Sequence, residues 1–272
     1  MEKLDCLGWA AGISVVSYGL RIGIRSNDAA ALEQARGRLP VGWKTSGSPA
    51  VDNLYSIMAP REKGRSKVRR FNLLYKGVGR LSRTMDLDEL LHEFEIDLHS
   101  YVATEAKRNM FLNAGVVGLQ GRAIVLPGKT SSGKTSLVAA FLRAGATYYS
   151  DEFAVLDSQG RVHPYPWGRR IRAEGVERSR QLPIEVLGAG AENKPLTVGF
   201  VLLSEYRQGA KWRPRSLSHG RATLAMLANV RSVHQQPEVM LRMLGKVVSG
   251  AAVLKGVRGD ADEVVDSILK LL

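Results

Sequence analysis

The amino-acid sequence predicts an α/β protein in which a mixed β-sheet carries a glycine-rich loop, preceded by a small N-terminal α+β module. Residues 128–135 match the pattern GxxxxGK followed by Thr. A run of apolar and β-branched residues precedes the pattern at 121–126, and a segment of helical composition follows it at 136–143. Strand, loop and helix in this order form the context that the pattern requires.

The N-terminal module is predicted from β-type runs and two helical segments. Apolar residues alternate on both sides of Gly19, which is typical of a hairpin or of one long bent strand. Asn27 or Asp28 can cap the first helix and Pro40 ends it, whereas Asp and Glu crowd the first turn of the second, where the helix dipole favours them. The predicted segments are, in chain order, β-type residues 12–25, helix 28–38, strands 51–58 and 71–75, and helix 85–106.

The most basic stretch of the chain, residues 61–70, lies between two of these strands. The simpler interpretation is a solvated hairpin loop, since runs of charge usually are. The alternative is an arm that binds an acidic partner. Nucleic acid is not expected as that partner, because neither interleaved aromatic residues nor a known nucleic-acid-binding motif accompanies the stretch.

A soft boundary near residue 108 divides the chain into the module, residues 1–108, and a core, residues 109–272. The core opens with a predicted hairpin in which residues 111–119 pair antiparallel with residues 123–126, so a mixed sheet is expected. The further predicted segments are strands 147–157 and 197–203, an exposed hairpin at 205–215, and helices 220–227, 237–249 and 260–272.

The glycine-rich loop has the composition of a phosphate-binding site. Glycines let successive backbone N–H groups point into one concavity, and the helix that begins there adds its unpaired N–H groups and positive dipole end. Lys134 supplies a cation for the β- and γ-phosphates, and the Thr135 hydroxyl is a hard oxygen ligand suited to Mg²⁺. ATP with Mg²⁺ is therefore the expected ligand, with another triphosphate or phosphoryl donor left open. The predicted binding residues are Gly128, Lys129, Thr130, Ser131, Ser132, Gly133, Lys134, Thr135 and Ser136.

Two adjacent carboxylates, Asp151 and Glu152, interrupt the apolar pattern of the strand predicted at 147–157. The alternative is a pair of turn acids at a strand end. About 16 residues after a phosphate loop, however, carboxylates are needed to complete a Mg²⁺ shell and to accept the proton of an attacking hydroxyl. Asp151 and Glu152 are therefore predicted to be functional.

Three arginines, Arg169, Arg170 and Arg172, form a compact cationic patch after a proline-containing segment. Arginine forks suit phosphate or carboxylate recognition, so one of them could orient the γ-phosphate or an acidic acceptor. For each of them, an ordinary surface position remains the alternative.

Composition limits the classes of partner. The chain has 272 residues, with 39 Lys and Arg against 26 Asp and Glu, so its formal net charge of +13 favours anionic partners. A single cysteine, Cys6, excludes an intrachain disulfide, and a reducing cytoplasm is the expected location. Neither a signal peptide nor a membrane-spanning segment is expected.

The loop with its preceding antiparallel strand, the following helix that ends near Gly145, and Tyr149-Ser-Asp-Glu152 on the next strand together resemble the HPr kinase/phosphorylase family. The resemblance is greatest to short HPr-kinase-like proteins, some of which accompany lasso-peptide biosynthesis and phosphorylate the precursor peptide. It covers roughly residues 111–172 and leaves the N-terminal module outside. It implies a P-loop kinase core of HPr-kinase type.

The resemblance also assigns roles to individual residues. It implies that Lys134 and Thr135 bind ATP and Mg²⁺, that Asp151 is the base for the acceptor serine, and that Glu152 helps to hold the metal. The sequence departs from the family in having Asp-Glu instead of Asp-Asp. It also has Asn113 where the family usually has histidine, and an amide cannot take up a proton, so a phosphorylase role for that position is not expected.

The sequence thus predicts an ATP- and Mg²⁺-dependent kinase that phosphorylates a serine of a peptide or small protein. The expected acceptor is acidic or serine-containing and, by the resemblance, could be a lasso-peptide precursor. A small-molecule kinase on the same scaffold is one alternative. A nucleotide-sensing module that binds nucleic acid through residues 61–70 is another. The oligomeric state is left open, with a homo-oligomer allowed.

Overall fold

The computed structural model describes residues 7–60, 70–129, 132–167, 194–232 and 236–271. They belong to two compact units, Met1–Lys107 and Arg108–Leu272. The described residues form a mixed α/β protein with two mixed sheets and six helices. Residues 61–69, Thr130, Ser131, Arg169, Arg170 and Arg172 lie outside the described residues.

The first unit contains a six-stranded sheet with the strand order β3-β1-β2-β4-β5-β6. Its elements are β1 (Ala11–Ser17), β2 (Leu20–Ser26), α1 (Ala29–Arg36), β3 (Lys44–Thr45), β4 (Asn53–Met58), β5 (Asn72–Lys76), β6 (Gly79–Thr84) and α2 (Leu87–Glu105). Of the two alternatives predicted around Gly19, the structure has the hairpin. Both predicted helices and both further strands are confirmed, whereas β3 and β6 were not predicted. Asp28 caps α1 by accepting a hydrogen bond from the Ala31 N–H at 2.8 Å.

The second unit contains an eight-stranded sheet. Its order is β11-β10-β7-β8-β12-β14-β13, with β9 also paired to β7 and β11 also paired to β12. Its elements are β7 (Met110–Leu119), β8 (Arg122–Pro127), α3 (Lys134–Arg143), β9 (Thr147–Ser150), β10 (Phe153–Leu156), β11 (Arg161–His163), β12 (Leu196–Tyr206), β13 (Arg215–Ser216), α4 (His219–Leu227), α5 (Pro237–Ser249), β14 (Ala252–Arg258) and α6 (Ala261–Leu269).

Helices cover both faces of this sheet. Ala123 and Val125 of β8 pack with α4 and α5, whereas Ile124 and Leu126 pack with α3 and α6. Successive side chains of a strand point to opposite faces, so a strand between two helical layers is apolar at every position. This explains the uninterrupted apolar run that precedes the loop.

The predicted hairpin of β7 and β8 is confirmed. Its two-residue turn places Gln120 and Gly121 at φ of 48° and 75°, the left-handed region that hairpins of this length require. β7 is antiparallel to β8, and β8 is parallel to β12. The mixed character of the sheet therefore originates at this hairpin.

The strand predicted at 147–157 is two strands, β9 and β10, both paired with β7 and separated by Asp151 and Glu152. The Ser150 hydroxyl accepts hydrogen bonds from the backbone N–H groups of Glu152 and Phe153, at 3.3 and 3.1 Å, and so stabilises the break. The regular strand pairing is therefore interrupted at the two acids, although the Glu152 carbonyl still accepts a hydrogen bond from the Ala114 N–H of β7.

The prediction of an exposed hairpin at 205–215 is wrong. β12 continues to Tyr206, and the later residues form β13, which pairs with β14 instead of returning along β12. Trp212 is buried against α6, and its backbone N–H donates to the Glu263 carboxylate at 3.1 Å. Strand β14 itself was not predicted because Lys255 and Gly256 interrupt its short apolar run.

Candidate functional site

Five described strands of the second unit run in the same direction, namely β8, β9, β10, β12 and β14, and β10 continues the line of β9 along β7 after the break at Asp151 and Glu152. β8 and β9 flank β7 and are both antiparallel to it, while β12 and β14 are parallel to β8. Gly128 follows β8, Asp151 follows β9, and Arg258 is the last residue of β14. The edge at which parallel strands end is where open α/β sheets usually bind ligands.

The glycine-rich loop connects β8 to α3 at this edge. The Gly128 N–H donates to the Asn113 carbonyl at 3.1 Å, and the Ser132 N–H donates to the Lys129 carbonyl at 3.2 Å. Gly133 caps α3 at φ 83°, a conformation that glycine adopts without strain. The first turn of α3, with Thr135 and Ser136, therefore presents its N–H groups and its positive dipole end at the edge.

Lys134 is buried inside the loop, with 8% of its surface exposed. Its Nζ donates to the carbonyl oxygens of Gly128 and Lys129, at 2.7 and 2.8 Å. The ammonium is thus held among loop carbonyls, in the concavity where the loop would enclose a phosphate group. A buried ammonium strongly favours an anion brought within reach, since little water screens it.

The position of α3 depends on Gly115 of β7. A Cβ atom at this position would lie 2.7 Å from Val138 Cγ2 of α3, closer than van der Waals contact. The absence of a side chain therefore allows α3, and with it the end of the glycine-rich loop, to approach the sheet closely.

Asp151 and Glu152 lie next to the loop. The Ala114 N–H donates to the Glu152 carbonyl at 3.1 Å, and Ala114 is the register partner of Pro127, the residue before the loop. Asp151 is buried, with 5% of its surface exposed, whereas Glu152 is partly exposed. The structure thus brings the predicted carboxylates to the same edge as the predicted phosphate loop.

A tyrosine that the sequence did not single out contacts Asp151. The Tyr148 hydroxyl donates to Asp151 Oδ1 at 3.0 Å. Burial, and then the charge of Asp151, raise the pKa of Tyr148 well above its usual value, so the phenol stays protonated and remains the donor. Tyr148 therefore fixes the orientation of the carboxylate.

Arg258 was also missed. It is 2% exposed, and its guanidinium donates to the carbonyls of Gly133 at 2.8 Å and of Gly259 at 3.1 Å. Burial lowers the pKa of Arg258. The guanidinium also lies over the ring of Tyr206, 5.4 Å from its centroid. Because Arg258 ends a strand that was not predicted, local sequence gave no sign that it reaches the loop.

The backbone of Asn113 contacts the glycine-rich loop. Its carbonyl accepts from Gly128, its N–H donates to the Asn229 carbonyl at 2.8 Å, and it is the register partner of Phe153 in β10. Asn113 is thus adjacent both to the loop and to the strand after the two acids. The three predicted arginines at 169–172 fall outside the residues that the structure describes.

Within the described ranges, no group of three or more His, Cys, Asp and Glu side chains has the arrangement of a metal site. No helix in those ranges is long and apolar enough to cross a bilayer. No protein-family model matches the chain, and a search of curated proteins found no significant match.

Proposed function

We propose that this protein is an ATP- and Mg²⁺-dependent kinase that transfers the γ-phosphate to a serine hydroxyl of a peptide or small protein. One observation carries the proposal. A buried carboxylate, Asp151, directly follows β9, and a glycine-rich loop with a buried lysine, Lys134, follows β8, on the two sides of the same part of β7. Phosphoryl transfer to a hydroxyl needs both groups close together.

The described residues of the loop are suited to a triphosphate. Lys134 and the N–H groups at the start of α3 would bind the β- and γ-phosphate oxygens. Arg258 Nε is buried and has no hydrogen-bond partner in the described part of the chain. Arg258 also contacts Gly133, and we infer that it holds the loop in shape for the triphosphate.

The oxygen donors at this edge suit Mg²⁺, which prefers hydroxyl, carboxylate and water oxygens. Thr135, in the first turn of α3, and Glu152, next to β7, would hold it together with phosphate oxygens. When bound, it would neutralise charge on the triphosphate.

In the proposed reaction, Asp151 accepts the proton of the serine hydroxyl while Oγ forms a bond to the γ-phosphorus. The bond from that phosphorus to the β–γ bridging oxygen breaks, and ADP leaves with the electron pair. Tyr148 keeps the Asp151 carboxylate oriented toward the hydroxyl. Asn113 cannot take up a proton, so the proposal is limited to the forward, kinase direction.

Replacement of Lys134 by alanine tests the proposal. We expect the K134A variant to fold normally and to lose phosphotransfer by about a hundredfold or more, because positioning and charge stabilisation supply most of the rate. The measurement is ATP-dependent gain of one phosphoryl mass by serine-containing peptides, with K270A, an exposed lysine after α6, as the matched control.

Turnover by K134A equal to that of the wild type would sink the proposal. Phosphorylation of small molecules in place of every peptide would overturn the acceptor and leave the kinase chemistry standing. A lasso-peptide precursor is the first acceptor to try, on the strength of the resemblance alone.

A further inference from the structure

A cavity of about 530 Å³ opens at the edge of the sheet that carries the phosphate loop. Its apolar lining includes Pro127 of β8, Leu203 of β12 and Val257 of β14. Ala225 of α4, a small residue, also lines the cavity. The volume lies within the range of ordinary ligand sites. We refer to it, together with Arg213, Arg215 and Lys255 on its wall, as the cationic pocket.

The cationic pocket lies on one side of the loop. Strands β8, β12 and β14 direct Val125, Val201 and Val253 toward α4 and α5. By the alternation of side chains, Pro127, Leu203 and Lys255 belong to this same face. Helix α3 packs on the opposite face. A ligand in the pocket would therefore approach the loop from the face of the sheet opposite to α3, the helix that follows the loop.

The charges of the pocket are poorly compensated. Arg215 of β13 and Lys255 of β14 are direct cross-strand partners, an arrangement in which like charges repel. Within the described part of the chain, none of Arg213, Arg215 and Lys255 has an ion pair. The one carboxylate on the wall, Glu205, is exposed and lies 3.9 Å from Arg207 outside the pocket. An anion in the pocket would relieve this repulsion.

A second cavity of about 370 Å³ lies beside the pocket along α4. The two cavities share Arg215, Lys255 and Ala225, and the second adds Arg221 and Leu224. Leu224 is 63% exposed, so the second cavity has an apolar position open to solvent. A groove with both cationic and apolar positions fits an extended peptide better than it fits a small anion.

We propose that the cationic pocket binds a carboxylate of the acceptor peptide, and that the groove along α4 holds the residues next to it. This inference rests on the proposed kinase function. A purine base would be a poor occupant, because a neutral ring gains little from three cations. The triphosphate is accounted for by the loop, which leaves the carboxylates of an acidic peptide as the complementary group.

The test is equilibrium binding of a fluorescein-labelled serine peptide with three glutamates, beside its twin with three glutamines. A third peptide has the glutamates and a C-terminal amide, and separates side-chain carboxylates from the terminal one. The protein variants are R213E/K255E, its neutral counterpart R213Q/K255Q, and R242E as the control. Arg242 is an exposed residue of α5 that lines neither cavity.

We expect the wild type to bind the acidic peptide about tenfold more tightly than the glutamine twin at physiological salt. The preference should disappear in R213E/K255E, shrink in R213Q/K255Q and persist in R242E. Equal binding of all three peptides by the wild type would overturn the proposal, whereas equal binding of the first two with weaker binding of the amide would assign the pocket to the terminal carboxylate. An equal loss in R242E would overturn the proposal as well, since it would indicate attraction by net charge alone.

Two further measurements, binding of an ATP analogue and phosphorylation of peptides, distinguish a failure of this inference from a failure of the proposed function. A non-hydrolysable ATP analogue with Mg²⁺ should bind R213E/K255E and the wild type with the same affinity, which also verifies folding, and should not displace the peptide. Displacement by the analogue would assign the pocket to the nucleotide and overturn the inference. If no peptide is ever phosphorylated, the kinase proposal fails, while the binding measurements still decide whether the pocket recognises acidic peptides.

Discussion

Tyr148 is the residue at which the chemistry of the site can be tested most finely. Its hydroxyl donates to Asp151 and takes no other part in the proposed reaction, so it acts as a positioning residue. We expect Y148F to lower kcat about tenfold, because a hydrogen bond to a charged group is worth roughly 1.5–3 kcal/mol. The KM for ATP should be unchanged.

The pH profile distinguishes positioning from a general structural effect. Loss of a donor makes a carboxylate easier to protonate, so the acid limb of the rate profile should move to higher pH in Y148F. Y149F is the matched control, since the neighbouring Tyr149 hydroxyl donates to the Lys194 carbonyl and not to Asp151. An unshifted acid limb in Y148F would mean that Asp151 is not the group that titrates in the reaction.

The candidate site residues differ in how clearly the sequence indicates them. Lys134 stands in a motif of fixed spacing, and Asp151 stands out because a charge inside an apolar run needs a reason. Tyr148 looks like an ordinary aromatic residue of a strand, and Arg258 lies 125 positions from the carbonyl that it contacts. Their roles come from tertiary contacts, which local patterns do not encode.

At the scale of elements, the contact between α3 and β7 at Gly115 controls where the loop lies. In G115A the new methyl group would be 2.7 Å from Val138 Cγ2. Valine in a helix has one strongly preferred rotamer, so the helix itself must move. We expect a loss of about 1–3 kcal/mol in the free energy of unfolding and weaker binding of an ATP analogue, measured by denaturant unfolding and calorimetry.

A second substitution checks the cause. V138A removes the clashing methyl group, so G115A/V138A should be more stable than the sum of the two single changes predicts, by about 1 kcal/mol or more. G245A in α5 is the control, since a Cβ there meets nothing within 4 Å and alanine favours a helix. Simple additivity of G115A and V138A would show that the contact does not position the helix.

Elements were predictable where a pattern is long or has a distinct turn. The β7–β8 hairpin and the helices α2 and α5 have such patterns. Strand β14 is short and interrupted by Lys255 and Gly256, and without it the location of β13 could not be inferred. The hairpin predicted at 205–215 was wrong for this reason, because a strand's partner depends on the whole sheet and not on its own residues.

At the scale of the whole molecule, the order of the strands creates the site. The glycine-rich loop, the two carboxylates and Arg258 come from three separate parts of the chain. The loop and the carboxylates are brought together because β8 and β9 flank β7, and Arg258 reaches the loop from the end of β14. The sequence predicted the loop and the carboxylates but neither Arg258 nor the way the three come together, since strand order is a property of the complete sheet. The net charge of +13 then favours anionic ligands in general, while the cationic pocket gives this preference a location.

Stability of the chain should fall on acidification, in part through His99 of α2. This side chain is buried, its Nε2 lies 3.3 Å from the Arg38 carbonyl, and burial lowers its pKa to about 3. The unfolded chain takes up the proton near pH 6.5, so between about pH 6.5 and pH 3 it binds more protons than the folded chain does. The contribution of neutral His99 is therefore complete above this range and is lost as the pH falls through it.

We expect His99 to account for roughly 2 kcal/mol of the stability lost between about pH 7 and pH 5, at about 1.4 kcal/mol per pH unit below pH 6.5. H99Q keeps a side-chain N–H for the Arg38 carbonyl and cannot titrate, so its stability should change less over that interval. The measurement is urea unfolding at both pH values, with hydrogen-exchange protection of Leu87–Glu105 to localise the effect. H219Q, which replaces an exposed histidine of α4, should keep the wild-type pH dependence. If H99Q keeps it as well, other groups, such as Asp52 and Asp157, whose pKa values are lowered in the folded chain, must account for the acid sensitivity.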